Sequence, residues 1–187
     1  MSLFQAFEPE PAERRGAADV FIRRAAASDA EAIAHIRQER HGGGLERQLA
    51  HSRRWIARIA DAPEQLLLVA VLDDEVTGYG YAGLFQPPDA PTLRNMAPGG
   101  YYLRGVVVRS SARRRGIGRR LTEARLSWIA ERAEIAYYCA NAANRATLAM
   151  HAEFGFEEVT RDFCYPGVRF EDGSGGILLC ARLKPPL

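Results

Sequence analysis

A short basic loop with two glycines constrains the fold of this chain more than any other feature. The apolar run before it, residues 103–108, is rich in valine and predicts a buried strand. After the loop, apolar side chains recur at helical spacing, at Ile117, Leu121, Ala124 and Trp128. The sequence therefore predicts a strand that turns through a glycine-containing loop directly into a helix.

The chemistry of this loop suits a phosphate or pyrophosphate group. Five arginines lie between residues 113 and 120, and Gly116 and Gly118 allow the backbone to turn sharply and approach a ligand closely. The first N–H groups of a helix have no intrahelical acceptor and carry partial positive charge, so they bind anions. The alternative interpretation is a plain strand-to-helix connection whose arginines are solvated.

A second pattern follows the loop. Residues 135–140 predict another strand, because they form a short apolar run bounded by polar residues. A predicted helix with small residues then runs from Asn144 to the pair Gly155 and Phe156. The central part of the chain is thus predicted to be strand, helix, strand, helix.

Together the two patterns resemble the acyl-CoA site of the GCN5-related N-acetyltransferases, the GNAT family. In that family the acyl-CoA loop has the form Arg/Gln-x-x-Gly-x-Gly/Ala, which Arg113, Gly116 and Gly118 fill here. The resemblance covers residues 103–156. It implies an α/β fold of the α+β type, the GNAT acyl-CoA acyltransferase fold, with a mixed, mostly antiparallel central sheet of about seven strands flanked by about four helices.

The sequence before the loop predicts elements in the order used by that fold. A short strand at 20–22 precedes a helix, for which Ser28 and Glu31 form a predicted capping box. Three glycines at 42–44 separate this helix from a second one. Further strands are predicted at 65–72, 76–85, 157–163 and 177–183, which gives the order β-α-α-β-β-β-α-β-α-β-β.

The length of 187 residues suits one compact domain. We expect a single N-acetyltransferase domain over residues 20–187. Residues 1–19 are rich in Ala, Pro, Glu and Arg without apolar periodicity, and predict a poorly ordered lead-in.

The resemblance implies acetyl-CoA as the cofactor, with CoA as the product. Backbone N–H groups at Val106, Val107 and Val108 would hold the acetyl carbonyl and the pantetheine arm. The pyrophosphate would rest on the amides of Arg114, Arg115, Gly116, Ile117, Gly118 and Arg119. Arg113 would add charge, and Asn144 would contact the pantetheine arm.

The general acid predicted from the resemblance is His151. Many family members have a tyrosine acid seven residues after the Asn, and here that position is a histidine. An imidazole can donate a proton near neutral pH, because its ordinary pKa is about 6.5. The alternative is that His151 only lines the helix while a water serves the thiolate.

The general base is less well defined by the sequence. Where family members often have a glutamate on the central strand, this chain has Tyr102, whose pKa the neighbouring Arg104 would have to lower. The alternatives are a water chain to Glu39 or Glu46, or an acceptor amine that is already partly neutral and needs no strong base.

The predicted activity is acetyl transfer to a primary amine of a small molecule or peptide. In the GNAT fold the first two helices form one wall of the acceptor pocket, so Arg37, Glu39, Arg40 and His41 are possible substrate contacts; a solvated loop is the alternative. The competing functions are a catalytically weak CoA-binding sensor or interaction domain, and an acyltransferase that uses a longer acyl-CoA.

Composition excludes several other classes of function. The net charge of +2 is too small to indicate nucleic-acid binding, and the arginine loop lacks interleaved aromatic residues. The cysteines and histidines have no metal-like spacing, so no metal is predicted. Without an apolar run long enough to span a bilayer or a signal peptide, we expect no membrane partner and a cytoplasmic location. A homodimer is possible.

Overall fold

The computed structural model describes residues 20–88, 94–170 and 175–183. The elements in chain order are β1 (Phe21–Arg24), α1 (Ala30–His41), α2 (Leu45–Ala60), β2 (Gln65–Leu72), β3 (Glu75–Phe85), β4 (Gly100–Val108), α3 (Ile117–Ala130), β5 (Ile135–Asn141), α4 (Arg145–Ala152), β6 (Glu157–Thr160) and β7 (Gly176–Arg182). The predicted order of elements is confirmed. The lead-in predicted at 1–19 lies outside the described residues.

The strands form a seven-stranded mixed sheet in the order β1-β2-β3-β4-β5-β7-β6. Antiparallel pairing joins β1 to β2, β2 to β3, β5 to β7 and β6 to β7, whereas β4 and β5 are parallel. Parallel neighbours need a crossover connection, and here it contains α3. This sheet and the four helices confirm the predicted fold class.

The contacts between residues divide the described part of the chain into two compact units. One comprises 20–83 with 105–125, and the other comprises 84–104 with 126–183.

The unit of 20–83 and 105–125 has an aliphatic core between α1, α2 and the first strands. Ile33 and Ile36 of α1 and Ile56 of α2 are at most 7% exposed and pack with Leu67 and Val69 of β2. Since α1 has its isoleucines at helical spacing, one face of that helix is buried, as predicted. The near-continuous burial of β2 explains its unbroken apolar sequence.

The unit of 84–104 and 126–183 has a more aromatic core. Tyr102 and Tyr165 are buried there with Leu178 of β7, and Phe85 and Tyr137 pack against them. The Tyr102 and Tyr137 rings stack with centroids 5.1 Å apart. Tyrosine supplies apolar area but also a hydroxyl group that needs a hydrogen-bond partner when it is buried.

The entry to α1 differs from the predicted capping box. Ser28 lies in a 3₁₀ turn, Ala27–Asp29, and α1 begins at Ala30. Asp29 closes this 3₁₀ turn, since its Oδ2 accepts a hydrogen bond from the Ala26 N–H at 2.7 Å. Its carboxylate also binds both Nη atoms of Arg23, at 2.7 and 2.8 Å.

Candidate active site

The predicted phosphate loop connects β4 to α3 through two left-handed backbone positions. After β4 the chain makes the 3₁₀ turn Ser110–Ala112 and enters α3 at Ile117. Arg114, with φ of 62°, and Gly116, with φ of 76°, reverse the chain into the helix. Because L side chains rarely adopt this conformation, Gly116 meets a requirement of the backbone.

Gly118 lies in the first turn of α3 and has space beside it. Within 4 Å, a Cβ at this position would meet only Val106 Cγ1, at the ordinary contact distance of 3.8 Å. The described neighbours therefore do not require a glycine. The position suits a ligand that approaches the backbone closely, so the loop fits the phosphate-bearing cofactor that the sequence predicts.

The side chains of the loop surround the start of α3 with positive charge. Three of its arginines have described partners within the protein: the Val108 carbonyl for Arg113 at 3.4 Å, the Glu123 carboxylate for Arg119 at 3.1 Å and the Val20 carbonyl for Arg120 at 2.7 Å. Arg114 is exposed and Arg115 is half-buried. This arrangement adds to the field of the helix N-terminus, which favours an anion.

Glu39, near the end of α1, holds the start of the loop. Its Oε1 accepts a hydrogen bond from the Ser110 N–H at 2.8 Å. The side chain of Ser110, together with this N–H and the charges of Arg113 and Arg109, lowers the pKa of Glu39 although burial opposes the shift. A carboxylate with a lowered pKa is a weak proton acceptor, so Glu39 is better suited to positioning the loop than to deprotonating an amine.

The predicted acyl-binding strand changes conformation at Gly105, where φ is 36°. The described pairing of β4 with β5 covers Tyr101–Leu103, opposite 136–138. Val106, Val107 and Val108 follow Gly105 and are half-buried. Their backbone thus lies beyond the described β4–β5 ladder, and their binding of the acetyl carbonyl stays a prediction.

Tyr102 is 1% exposed, and its hydroxyl donates to the Pro98 carbonyl at 2.7 Å. Burial raises the pKa of Tyr102, and the neighbouring Cys139 and tyrosines add to the shift. Arg104 acts in the opposite direction but is outweighed, so the lowered pKa that Tyr102 would need as a base is not found. These surroundings argue against Tyr102 as the general base.

Asn144 caps α4. Its Oδ1 accepts a hydrogen bond from the Thr147 N–H at 3.1 Å, which ties the oxygen to the helix. A contact with the pantetheine arm would therefore come from the donors of its side-chain amide. The preceding turn is held in the same way, because Asn141 Oδ1 accepts from the Ala143 N–H at 2.7 Å.

His151, on the last turn of α4, is 2% exposed. Its ring stacks on Tyr138 with centroids 4.0 Å apart and planes 4° apart, and meets Phe156 edge-on at 5.3 Å. Its Nδ1 lies 2.8 Å from the Thr147 carbonyl oxygen. The imidazole is thus held in one orientation by packing and a hydrogen bond.

Arg37 contacts two residues that the sequence did not indicate as part of a site. Gln48 accepts a hydrogen bond from Arg37 Nε at 3.1 Å, and the Trp55 ring lies 5.7 Å from the guanidinium carbon. Gln48 and Trp55 were not predicted because their helical spacing favours an ordinary buried face of α2. Arg40 and His41 are half-buried nearby on α1.

The predicted site residues fall in both units. The unit of 20–83 and 105–125 brings together Val106–Val108, the loop and Glu39. The other unit contains Tyr102, Asn144 and His151. Within the residues that the structure describes, no group of three His, Cys, Asp or Glu side chains could hold a metal ion, and no helix has the length and hydropathy to cross a membrane.

Comparison with solved structures shows the same fold in proteins described as acetyltransferases. A GNAT-family acetyltransferase from Streptococcus pneumoniae has a TM-score of 0.65 at 15% identity, covering 89% of this chain and 100% of its own. YncA of Salmonella typhimurium, a putative acetyltransferase whose structure contains acetyl-CoA, has a TM-score of 0.62 at 19% identity. The match covers 89% of this chain and 95% of YncA.

A ribosomal-protein-alanine N-acetyltransferase from Brucella melitensis is more similar in sequence. It is 26% identical, with a TM-score of 0.59, and the match covers 87% of this chain and 99% of that one. Among curated protein sequences, none matches this chain significantly.

Family membership is shown by the match to a family model, and not by these structures. The model of the Acetyltransferase (GNAT) family matches residues 30–156, which is more than half of the chain. The matched region contains the loop with Gly116 and Gly118, and also Tyr102 and His151. This chain therefore belongs to the GNAT acetyltransferase family.

Proposed function

We propose that this protein is an acetyl-CoA-dependent N-acetyltransferase that moves an acetyl group directly to a primary amine of a small molecule or peptide. Membership of the family implies acetyl-CoA-dependent acetyl transfer. The observation that carries the proposal is the loop at the start of α3, where Gly116 adopts a left-handed conformation and Gly118 leaves space beside the first turn.

The residues of this loop would bind the phosphates of acetyl-CoA. The amides of residues 114–119 are donors, and Arg113 supplies charge while its Nε holds the Val108 carbonyl. Glu39 fixes the beginning of the loop through Ser110. Bound acetyl-CoA supplies a thioester carbon that an amine can attack. The N–H groups of Val106–Val108 would stabilise negative charge on its carbonyl oxygen.

The proton of the acceptor amine leaves without a strong protein base. Burial raises the pKa of Tyr102, and the Glu39 carboxylate already accepts a hydrogen bond. Deprotonation by solvent is compatible with both observations, because a fraction of the amine is neutral at any pH near its own pKa. Activity should then rise with pH until the acceptor amine is mostly neutral.

Three similar proteins support the nitrogen acceptor and the cofactor. The Brucella melitensis protein is a ribosomal-protein-alanine N-acetyltransferase, and YncA of Salmonella typhimurium binds acetyl-CoA. A ribosomal-protein-S18-alanine N-acetyltransferase from Escherichia coli has a similar fold, with a TM-score of 0.61. Acetyl transfer to an amine is therefore a better-supported reaction than transfer to a hydroxyl group.

The first test is the thermal midpoint of the purified protein with and without acetyl-CoA. A ligand at about 100 times its Kd adds roughly 2.7 kcal/mol of stability and should raise the midpoint by several degrees. Gly118→Asp should abolish the rise, because it places a carboxylate where a phosphate is expected. Gly44→Asp, at an exposed glycine outside the loop with an ordinary φ of −69° and open space beside it, is the matched control for the added charge. No rise with any acyl-CoA would overturn the proposal.

A catalytically weak CoA-binding domain is the second candidate, favoured by the surroundings of Tyr102. Release of CoA thiol should be followed with a panel of amines and with acetyl-CoA and longer acyl-CoAs. A thermal shift without turnover on any amine would identify a CoA-binding sensor. Faster turnover with a longer acyl-CoA would assign a different acyl donor.

A further inference from the structure

The side chain of Arg37 is a half-buried cation whose described contacts are with neutral groups. Its Nε donates to Gln48 Oε1 at 3.1 Å, and its guanidinium carbon lies 5.7 Å from the centre of the Trp55 ring. Its charge also opposes the burial that raises the pKa of Tyr79. Among the described ion pairs of the chain, none includes Arg37. Its charge thus has only neutral described partners.

Gln48 fixes the orientation of this guanidinium. It is 9% exposed, and its Nε2 donates to the Gly42 carbonyl at 2.9 Å, so its Oε1 is the atom that faces Arg37. An arginine has five N–H donors in a rigid planar fork, and the bond to Gln48 uses the one on Nε. A fork held in this way is preorganised to bind a planar anion such as a carboxylate through two hydrogen bonds.

Beside the guanidinium lies a wall of aromatic rings. Trp55 is half-buried and meets Tyr79 and Tyr81 edge-on, at centroid distances of 5.6 and 5.4 Å. His51 lies 6.4 Å from Trp55, on the exposed side of α2. An apolar wall next to a fixed cation suits a ligand with an apolar body and an anionic end.

The charges around this group are positive. Burial lowers the pKa of His41 and His51, and Arg37 is the strongest charge that lowers both further. Arg40 also acts on His41, and the other charges that act on His51 belong to Arg47, Arg54 and Arg58. Such a field attracts anions and repels a purely cationic acceptor.

The same unit connects this group to the phosphate loop. Arg40 is close enough to Arg113 and to Tyr79 for both to affect its pKa, which burial mainly lowers. Two residues after Arg37, Glu39 holds the Ser110 N–H at the start of the loop. The Arg37 group therefore lies beside the residues assigned to the acyl donor.

We propose that Arg37 recognises a carboxylate on the acceptor, so that the preferred substrates are amines that also carry a carboxylate, with the Trp55 ring packing against the apolar part between the two groups. This inference rests on the proposed function. Arg37 acts here in binding and specificity, whereas the loop binds the donor. The specificity therefore appears in kcat/KM for the acceptor, and affinity for acetyl-CoA stays unchanged.

The test compares two acceptors that differ only in charge, 4-(aminomethyl)benzoate and 4-(aminomethyl)benzamide, at saturating acetyl-CoA. We expect the wild-type kcat/KM to be at least about tenfold higher for the acid, since a charge-assisted pair of hydrogen bonds is lost with the amide. Arg37→Gln should remove the preference and Arg37→Lys should keep part of it. Arg53→Gln, an exposed arginine of α2 that does not act on either histidine, is the matched control.

A binding measurement keeps the proposal testable without turnover. The ring protons of His51 and His41 should be followed by NMR during titration with benzoate and with benzamide, with CoA present. Benzoate should shift them and raise the pKa of His51, whereas benzamide should not, and Arg37→Gln should abolish the benzoate response. No response of the wild type to benzoate at about 50 mM, or equal responses to both probes, would overturn the inference. Failure of acetyl-CoA to bind would instead overturn the proposed function.

Discussion

The hydrogen bond at His151 Nδ1 bears directly on its predicted role as general acid. A carbonyl oxygen only accepts, so the 2.8 Å contact with Thr147 requires a proton on Nδ1. In the neutral ring Nε2 is then an acceptor, and proton donation from it requires a doubly protonated imidazole. Once formed, such a charged ring would give up its proton readily, because burial at 2% exposure against the face of Tyr138 disfavours charge.

We predict that His151→Phe lowers kcat by about 100-fold while acetyl-CoA affinity stays nearly intact. Phenylalanine preserves the ring stacked on Tyr138 but removes both nitrogens, so the change isolates proton transfer from packing. Steady-state kinetics and the thermal midpoint with acetyl-CoA measure the two effects separately.

Tyr138→Leu is the matched control for this variant. It removes the stacking partner and leaves the imidazole in place, so it should lower the thermal midpoint without a comparable loss of kcat. If His151→Phe retains wild-type kcat, His151 has no part in proton transfer and serves the packing of α4.

The two predicted catalytic residues show what a residue pattern can predict at this scale. The sequence places Tyr102 on the central strand and Arg104 two positions later, and a role as base would need this arginine to lower the pKa of the tyrosine. The rings that bury Tyr102 include Phe85 and Tyr165, which are distant in sequence, and their packing is not visible in a local pattern. Burial outweighs the arginine, and only the three-dimensional structure shows it.

At the scale of elements, the entry to α1 depends on one carboxylate. Asp29 is 5% exposed, and burial alone would raise its pKa. The hydrogen bonds from Arg23 and from the Ala26 N–H, with the charge of Arg23, outweigh burial and lower the pKa of Asp29. Asp29 thereby joins β1 to the start of α1.

We predict that Asp29→Asn destabilises the protein by about 1–2 kcal/mol at pH 7, because it weakens the hydrogen bond that closes the 3₁₀ turn before α1 and leaves a half-buried arginine without its carboxylate. A lowered carboxyl pKa stabilises the folded state above the unfolded value of about 3.9, and the contribution is lost as pH falls through the folded value. The variant should therefore approach wild-type stability below about pH 4. Urea unfolding at several pH values measures this difference.

The pair Glu158 and Arg161 provides the control for Asp29. It has a similar geometry, at 2.8 Å, but both side chains are exposed, with Glu158 on β6 and Arg161 directly after it. Exposed ion pairs contribute little to stability. Glu158→Gln should leave the unfolding midpoint unchanged, and a loss as large as that of Asp29→Asn would contradict the explanation from burial.

Local signals in the sequence predicted most elements, and the errors have identifiable causes. The apolar run of β2 and the hairpin turn at Asp73 and Asp74, both with positive φ, follow from local chemistry alone. The predicted capping box is wrong, although Ser28 matches its sequence pattern. Ser28 lies in a 3₁₀ turn before α1, and the carboxylate of Asp29 in that turn binds Arg23 of β1. β6 ends at Thr160 rather than residue 163, since nothing in the apolar pattern marks where strand pairing stops.

At the scale of the whole molecule, charge is distributed unevenly. The net charge is only +2, yet five arginines lie between residues 113 and 120. Further cations surround His51 on α2. The sequence predicted the first cluster, because its residues are adjacent. The second cluster combines α1 with α2 and became visible only with the packing of Arg37 against Gln48 and Trp55.

This distribution predicts how binding responds to salt. A cluster confined to the start of α3 should bind the few phosphates of acetyl-CoA, and its affinity should fall only several-fold between about 50 and 500 mM NaCl, because close contacts are screened less than distant ones. A single-stranded oligonucleotide of about 20 nucleotides should bind more weakly than acetyl-CoA at about 150 mM salt, since the loop is too short to follow a polymer backbone. Fluorescence anisotropy with both ligands across a salt series measures this. Tighter binding of the oligonucleotide, with an affinity that falls steeply as salt is added, would show that the two cationic clusters serve a nucleic acid instead.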